Sequence, residues 1–275
     1  MWDNLFPFVR IGIGDKMKNR LLGKKVLITG ATGGIGERLA YHITKQGATP
    51  ILIGRNQDKL DKIRESLIHM TEEEPICYVG DLTDRTFIST TVESNPDVDV
   101  LINNAGIGLF AKLESTSNEA IEQMLLLNIH ALVYLTKSFL PTLKENKGHI
   151  IQIASMAGKV PTPKSSIYAA TKAFVIQFSN ALRMECQEHD IAVTTVNLGP
   201  VRTGFFDYAD QTGNYRKSVD NYMLDPDKVA RTIVKSIYTN KREINLPFWM
   251  QIGSKWYAFM PQLMEKVLQP LFRKK

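Results

Sequence analysis

Tyr168 and Lys172 stand four residues apart in the stretch IYAATKAF, residues 167–174. On a helix that spacing stacks the two side chains on one face. The pair is then either solvated decoration or an acid–base couple. Reduction of a ketone by hydride leaves an alkoxide that needs a proton, and a phenol can give one. A free phenol, with a pKa of ~10, is a poor base near neutral pH. A neighbouring cation favours the phenolate, and a shift of about three units requires roughly 4 kcal/mol. Lys172 can supply part of that, and the small Ala169 and Ala170 leave room for a reactant. Asn128 is a second residue that asks for a reason. It sits within LLLNIHALVYL, and asparagine is a mediocre helix former.

Such a couple needs elements to hold it. KKVLITG (24–30) is a short apolar run ending in glycine and reads as a buried strand. Residues 37–47 carry apolar positions at helical spacing and stop at Gly47. TPILIG is a second strand. NQDKLDKIRESLIHM is an amphipathic helix with Leu60, Ile63, Leu67 and Ile68 on one face. PICYVG, VDVLINNAG, GHIIQIAS and DIAVTTVNLG continue the strands. Helices at TDRTFISTTVES, at roughly 117–140 and at 166–188 separate them. This alternation implies βαβ units and a parallel sheet covered on both faces, with a ligand beyond the carboxyl ends of the strands. We expect one doubly wound α/β domain over 24–246, an extension at 1–23 and an amphipathic basic tail at 247–275.

The first strand turns into the first helix through TGATGGIG, residues 29–36. Gly30, Gly34 and Gly36 allow a tight turn and close approach, and the helix that follows offers free N–H groups to a phosphate. The spacing is G-x3-G-x-G rather than the commoner G-x-G-x-x-G, and a purely structural turn is the alternative. The second strand ends ILIGRN. Where an acid would bind a ribose 2′-hydroxyl stands Gly54, followed by Arg55, whose guanidinium suits a 2′-phosphate. This points to NADP(H) over NAD; an exposed loop arginine is the plainer reading.

Together TGATGGIG, GDL (80–82), NNAG (103–106), Asn128, Ser155 in IASMAG and YAATK (168–172) resemble the classical short-chain dehydrogenase/reductase family over roughly residues 24–240. The resemblance implies a single Rossmann-type domain and a dimer or tetramer. It implies a cofactor held by Gly30, Thr32, Gly33, Gly34, Ile35, Gly36, Asp81, Leu82, Asn103, Asn104, Ala105, Gly106, Val201 and Thr203, with Arg55 choosing NADP(H). Tyr168 would be the general acid/base and Lys172 would lower its pKa and bind the nicotinamide ribose. Ser155 would hold the substrate oxygen. Asn128 would hold a water linking Lys172 to solvent. The chain departs from the family's Pro-Gly after the sixth strand, reading NLGPVRTGF with Gly199 before Pro200.

Residues 201–224 form a long stretch without a clear period, as functional lids do. Its Phe205, Phe206, Tyr208, Tyr215, Tyr222 and Met223 either wall an apolar pocket or pack on each other; Phe205 and Phe206 are the substrate candidates. Asp225 and Pro226 suit the cap and first position of the next helix.

The net charge is +6 and lies in the ends: residues 1–25 hold six Lys/Arg against two Asp, and 241–275 seven against two Glu. Trp2, Trp249 and Trp256 lie there too. Tryptophan and basic residues beside an apolar stripe suit a membrane interface. Packing of the tail on its own fold or on a partner subunit is the reading we expect, since apolar helical stripes are usually core. Pro270 would break or kink the last helix. Cys77 and Cys186 fit no disulfide or zinc pattern, the five histidines are scattered, and no metal site is expected. No signal sequence and no apolar run near ~18 residues is evident, so a cytosolic protein is the expectation, with association to a membrane through its ends as the alternative. No motif for nucleic acid is present. Against an NADP(H)-dependent carbonyl reductase stand two other readings, a non-catalytic NADP(H) sensor and an extended-type sugar-nucleotide epimerase. The complete Ser155–Tyr168–Lys172 set and the glycine spacing argue against each in turn.

Overall fold

The computed structural model describes residues 20–70 and 73–272, the side chains as far as Val267. The N-terminal apolar and basic stretch, including Trp2, lies outside the described residues.

Seven strands form one wholly parallel sheet: β1 (Lys25–Thr29), β2 (Thr49–Gly54), β3 (Ile76–Val79), β4 (Val100–Asn103), β5 (His149–Ser155), β6 (Ala192–Leu198) and β7 (Glu243–Leu246). Their order is β3-β2-β1-β4-β5-β6-β7. The chain reverses direction of progress between β1 and β4, which opens a cleft at their carboxyl ends. β2, β4 and β5 are buried throughout, as near-continuous Val/Ile/Leu runs require. β3 forms where a third strand is expected and is only half-buried because it is an edge. β7, at the other edge, was not expected. EINL is too short to announce itself, and its register is supplied by β6, Asn197 facing Asn245.

Helices α1 (Gly34–Thr44), α2 (Gln57–Ile68) and α3 (Arg85–Glu93) follow the first three strands. Leu60, Ile63 and Leu67 of α2 are buried, while Ile68, expected beside them, is 38% exposed at the frayed last turn. The expected helix near 117–140 is a longer run in three parts: α4 (Asn118–Leu125), a π-helical turn (Leu126–Ala131) and α5 (Leu132–Glu145). By length and apolarity this run could cross a membrane, contrary to the sequence expectation. Here Leu135, Phe139 and Leu143 are instead buried against the sheet. Beyond α6 (Ser166–Cys186) and β6, the stretch expected as a functional loop or lid contains two short helices, α7 (Phe205–Ala209) and α8 (Asn214–Val219). α9 (Pro226–Ser236) begins as expected, with Asp225 accepting from the Lys228 N–H at 2.9 Å. The chain ends in α10 (Phe248–Phe259) and α11 (Pro261–Phe272). Pro270 does not stop α11, which runs on to Phe272.

At the amino end of the sheet, away from the cleft, His149 is fully buried. Its Nδ1 accepts from the Tyr238 N–H at 2.8 Å. Its Nε2 therefore carries the proton and donates to Thr194 Oγ1 at 2.9 Å. Burial pushes its pKa down to about 3, so it is a neutral brace between strands.

Candidate active site

Thr29 is the last residue of β1, and its hydroxyl accepts from the Asn104 N–H at 3.0 Å and the Ala105 N–H at 2.9 Å. The Asn104 amide in turn donates to Thr29 O at 2.9 Å and Gly30 O at 3.1 Å. The ends of β1 and β4 are thus one unit. Gly30 has φ +63, and a side chain there would meet Ala105 Cα at 2.9 Å. On Gly36 a Cβ would stand 2.3 Å from Gly30 O, so only glycine lets α1 seat on the turn. α1 starts at Gly33 with no side-chain cap. Its first N–H groups are free for an anion, and the dipole favours one. These features fit a dinucleotide's pyrophosphate.

Other members of the expected cofactor set divide. Ile35, Asn104, Gly106, Val201 and Thr203 line one cavity. Gly34 faces Thr203, whose Cγ2 would be 2.8 Å from a Cβ placed there. Thr32 packs beside Gly54, where a side chain would meet its Cγ2 at 2.8 Å. That contact leaves no room for an acid at position 54. Arg55 next to it is exposed, with no hydrogen bond or ion pair among the described residues. Asp81 closes the turn after β3, accepting from the Thr83 N–H at 2.8 Å, and Leu82 is core. The Asn103 side chain is not brought to the cleft. It is buried and donates to Thr136 Oγ1 at 2.9 Å, anchoring α5.

Ser155 ends β5, Tyr168 and Lys172 lie in the first two turns of α6, and all three line the same cavity. Lys172 Nζ donates to Ile153 O at 2.9 Å and lies 5.9 Å from the Tyr168 ring centre. Burial lowers the lysine's pKa to about 8. Burial also raises Tyr168 to about 12, against a smaller pull downward from the Ser155 hydroxyl. In the protein alone burial governs Tyr168 and holds it above its ordinary value, where the sequence led us to expect Lys172 to draw it below. Asn128 lies in the π-helical turn, a feature that frequently marks functional sites. Its amide spans the chain after NNAG. Nδ2 donates to Ile107 O at 2.8 Å and Thr171 Oγ1 at 3.0 Å, and Oδ1 accepts from the Ile107 N–H at 2.9 Å. A Cβ on Gly106 would touch both Asn128 Oδ1 at 3.2 Å and Lys172 Nζ at 3.3 Å. The four expected catalytic residues thus occupy one neighbourhood.

The cavity measures about 510 Å³, a size suited to a small organic ligand. Phe205 and Phe206 wall it, as expected, together with residues that the sequence did not disclose. Phe110 packs edge-on to Tyr168 with ring centres 5.7 Å apart, and to Tyr215 at 4.7 Å. Its place shortly after NNAG, at the carboxyl end of β4, was the available signal. Trp249, Met250, Tyr257 and Met264 close the cavity from α10 and α11. No local signal pointed to them. They also account for the reversed Gly-Pro order, since a Cβ on Gly199 would meet Met250 Sδ at 2.8 Å and Pro247 Cδ at 2.9 Å.

The model of the short chain dehydrogenase family matches residues 24–213. The chain belongs to that family. Among curated relatives, 11-beta-hydroxysteroid dehydrogenase A of Sesamum indicum is 29% identical, covering 98% of this chain and 81% of its own. The 11-beta-hydroxysteroid dehydrogenase-like 3 protein of Arabidopsis thaliana is 32% identical, over 90% of this chain and 81% of its own. Among solved structures, the closed form of serine dehydrogenase complexed with NADP+ superposes with a TM-score of 0.71 at 32% identity, covering 80% of this chain and 94% of that one. As a short chain dehydrogenase, the protein is an oxidoreductase with a nucleotide-binding cleft at the β1–β4 switch point.

Proposed function

We propose that the protein transfers a hydride between NADP(H) and an apolar carbonyl or secondary alcohol. The observation that carries this reading is the convergence of Ser155, Tyr168 and Lys172 at the polar end of an otherwise aromatic and aliphatic cavity. When bound, the dinucleotide supplies or accepts the hydride.

The chain's own residues do the rest. Ser155 Oγ, fixed by the Ala157 N–H at 3.1 Å, turns the hydroxyl hydrogen that it gives to Leu198 O at 3.2 Å toward the carbonyl oxygen and holds it. With its pKa pushed up to about 12, Tyr168 is a protonated phenol at neutral pH and gives its proton to that oxygen as the alkoxide forms. Lys172, cationic below about 8, stabilises the phenolate left behind and is placed to bind the nicotinamide ribose. Asn128 joins the site to solvent. Both hydrogens of its Nδ2 are committed, so a relay water on this side chain takes the remaining lone pair of Oδ1. The aromatic walls exclude water and favour an apolar substrate.

NADP(H) is preferred because Gly54 leaves no acid to repel a 2′-phosphate and Arg55 beside it has no hydrogen bond or ion pair among the described residues. Leu125, Leu126 and Phe174, each about two-fifths exposed, are apolar side chains that a homo-oligomer would cover. A panel of carbonyls and alcohols assayed with NADPH, NADH and their oxidised forms tests the reading. Turnover of apolar ketones with NADPH is expected; no turnover of any carbonyl by folded, cofactor-saturated protein refutes it.

A further inference from the structure

α10 is apolar on two opposite sides. Met250, Gly253, Ser254 and Tyr257 face the cavity. Phe248, Ile252, Trp256 and Phe259 face solvent, with 69%, 49%, 53% and 79% of their surface exposed. At about 100° per residue, the second set falls in one stripe roughly half a turn from the first. Trp249, at the mouth, belongs to both: it lines the cavity and is 56% exposed. α11 repeats the pattern. Met264 lines the cavity, while Leu263 and Val267 are 52% and 62% exposed. A hydrogen bond from the Tyr257 hydroxyl to Glu265 Oε1 at 2.9 Å ties the two helices. The roof of the cavity is therefore one helical layer with an apolar plateau outside it. A soluble surface rarely leaves so many large apolar side chains together without an occupant.

The charges nearby say which occupant. Lys255 and Lys266 are exposed and flank the stripe, whereas Glu265 is turned toward Tyr257. A second copy docked by two-fold symmetry would set these like charges against one another. An anionic surface would attract them, and two tryptophans beside an apolar stripe are suited to the headgroup boundary.

We propose that the α10–α11 plateau seats the protein on an anionic phospholipid surface, with the cavity mouth beside the bilayer. Its carbonyl substrate is then a lipophilic molecule drawn from the membrane. The substrate half rests on the function proposed above; the docking half does not.

The test uses the full chain and the variant Ile252→Glu/Trp256→Glu/Phe259→Glu, none of whose positions lines the cavity. Both are sedimented with phosphatidylcholine vesicles that do or do not contain roughly one-third phosphatidylglycerol. Wild type is expected to partition onto the anionic vesicles and to leave them in about 0.5 M NaCl. The triple variant is expected to partition at least about tenfold less. Thermal midpoint and reduction of a water-soluble short-chain ketone should be unchanged in the variant, while reduction of a long-chain ketone supplied in anionic vesicles slows. A second variant, Lys255→Glu/Lys266→Glu, should weaken anionic binding without touching the apolar stripe. Wild type remaining in the supernatant overturns the proposal, as does equal partitioning of the triple variant. So does a lipid-free oligomer that the triple variant dissolves, which would assign the plateau to a second copy. Absence of any ketone turnover would count against the proposed reaction and leave the vesicle result to decide the docking.

Discussion

The floor and the roof of the cavity are built by different physics. The floor is made of strand ends and the start of α6, where Ser155, Lys172 and Asn128 are buried and held by hydrogen bonds to backbone. The roof is made of segments 201–224 and α10–α11, held by aromatic contacts and by ion pairs such as Arg202–Asp220 and Arg216–Asp207. Those pairs are about half exposed and contribute little. The ends of 201–224 are stitched together, Arg202 N–H to Leu224 O at 2.9 Å and Leu224 N–H to Pro200 O at 2.8 Å, so this part of the roof is one flap. A floor of this kind sets the reaction, and a roof of this kind sets what reaches it. The two can then be altered separately.

The largest effect should come from the floor. Tyr168→Phe removes the proposed proton donor, and turnover is expected to fall by ~10³-fold or more with cofactor affinity and thermal midpoint retained. Near-native turnover would show that another group donates the proton. The same division predicts the alkaline limb. Lys172 is cationic below about 8 and Tyr168 stays protonated to about 12, so kcat/KM for reduction should decline as pH rises through about 8. A limb appearing only near 12 would assign it to the phenol instead. Next in size is the cofactor. Arg55→Asp should shift the NADPH-to-NADH preference by ~10–100-fold with kcat on the better cofactor little changed. An unaltered ratio would mean that Arg55 is only a surface residue.

Changes in the roof should be smaller and of another kind. Met250→Ala enlarges the cavity and should alter relative kcat/KM among ketones of different bulk by about three- to tenfold, while the pH profile stays put. A change in that profile would join what we separate. The smallest effect belongs to neither wall. His149 is held neutral, with its folded pKa down at about 3 against 6.5 for the free group. Between those values the unfolded chain binds the extra proton, so stability is full above about 6.5 and is lost as pH falls toward 3. Urea midpoints at pH 7 and pH 5 should differ in the wild type and differ less in His149→Gln.

The same two walls differ in how far they could be read in advance. Gly30, Gly36, Tyr168 and Lys172 could be singled out because local backbone geometry or an i,i+4 spacing marks them, whereas Asn104 and Ser155 were pointed to only by the resemblance to the family. Asn103 was misplaced because alternation along β4 sends neighbouring side chains to opposite faces, and only packing shows that its face meets Thr136. An apolar stripe on a helix states that something covers it, not what: in the tail Met264 turns to the cavity while Leu263 and Val267 are exposed, a division that only the tertiary structure shows.

By itself the sequence determined the parallel α/β domain and its glycine turn, and singled out the residues proposed here for proton transfer, since all depend on short-range patterns of apolar period, glycine and fixed spacing. The tertiary structure alone decided the rest. Phe110, Tyr215, Met250 and Met264 meet at Tyr168 only because β4, the flap and the last two helices end at one edge of the sheet. That edge is also where burial, rather than the lysine, sets the tyrosine's affinity for its proton.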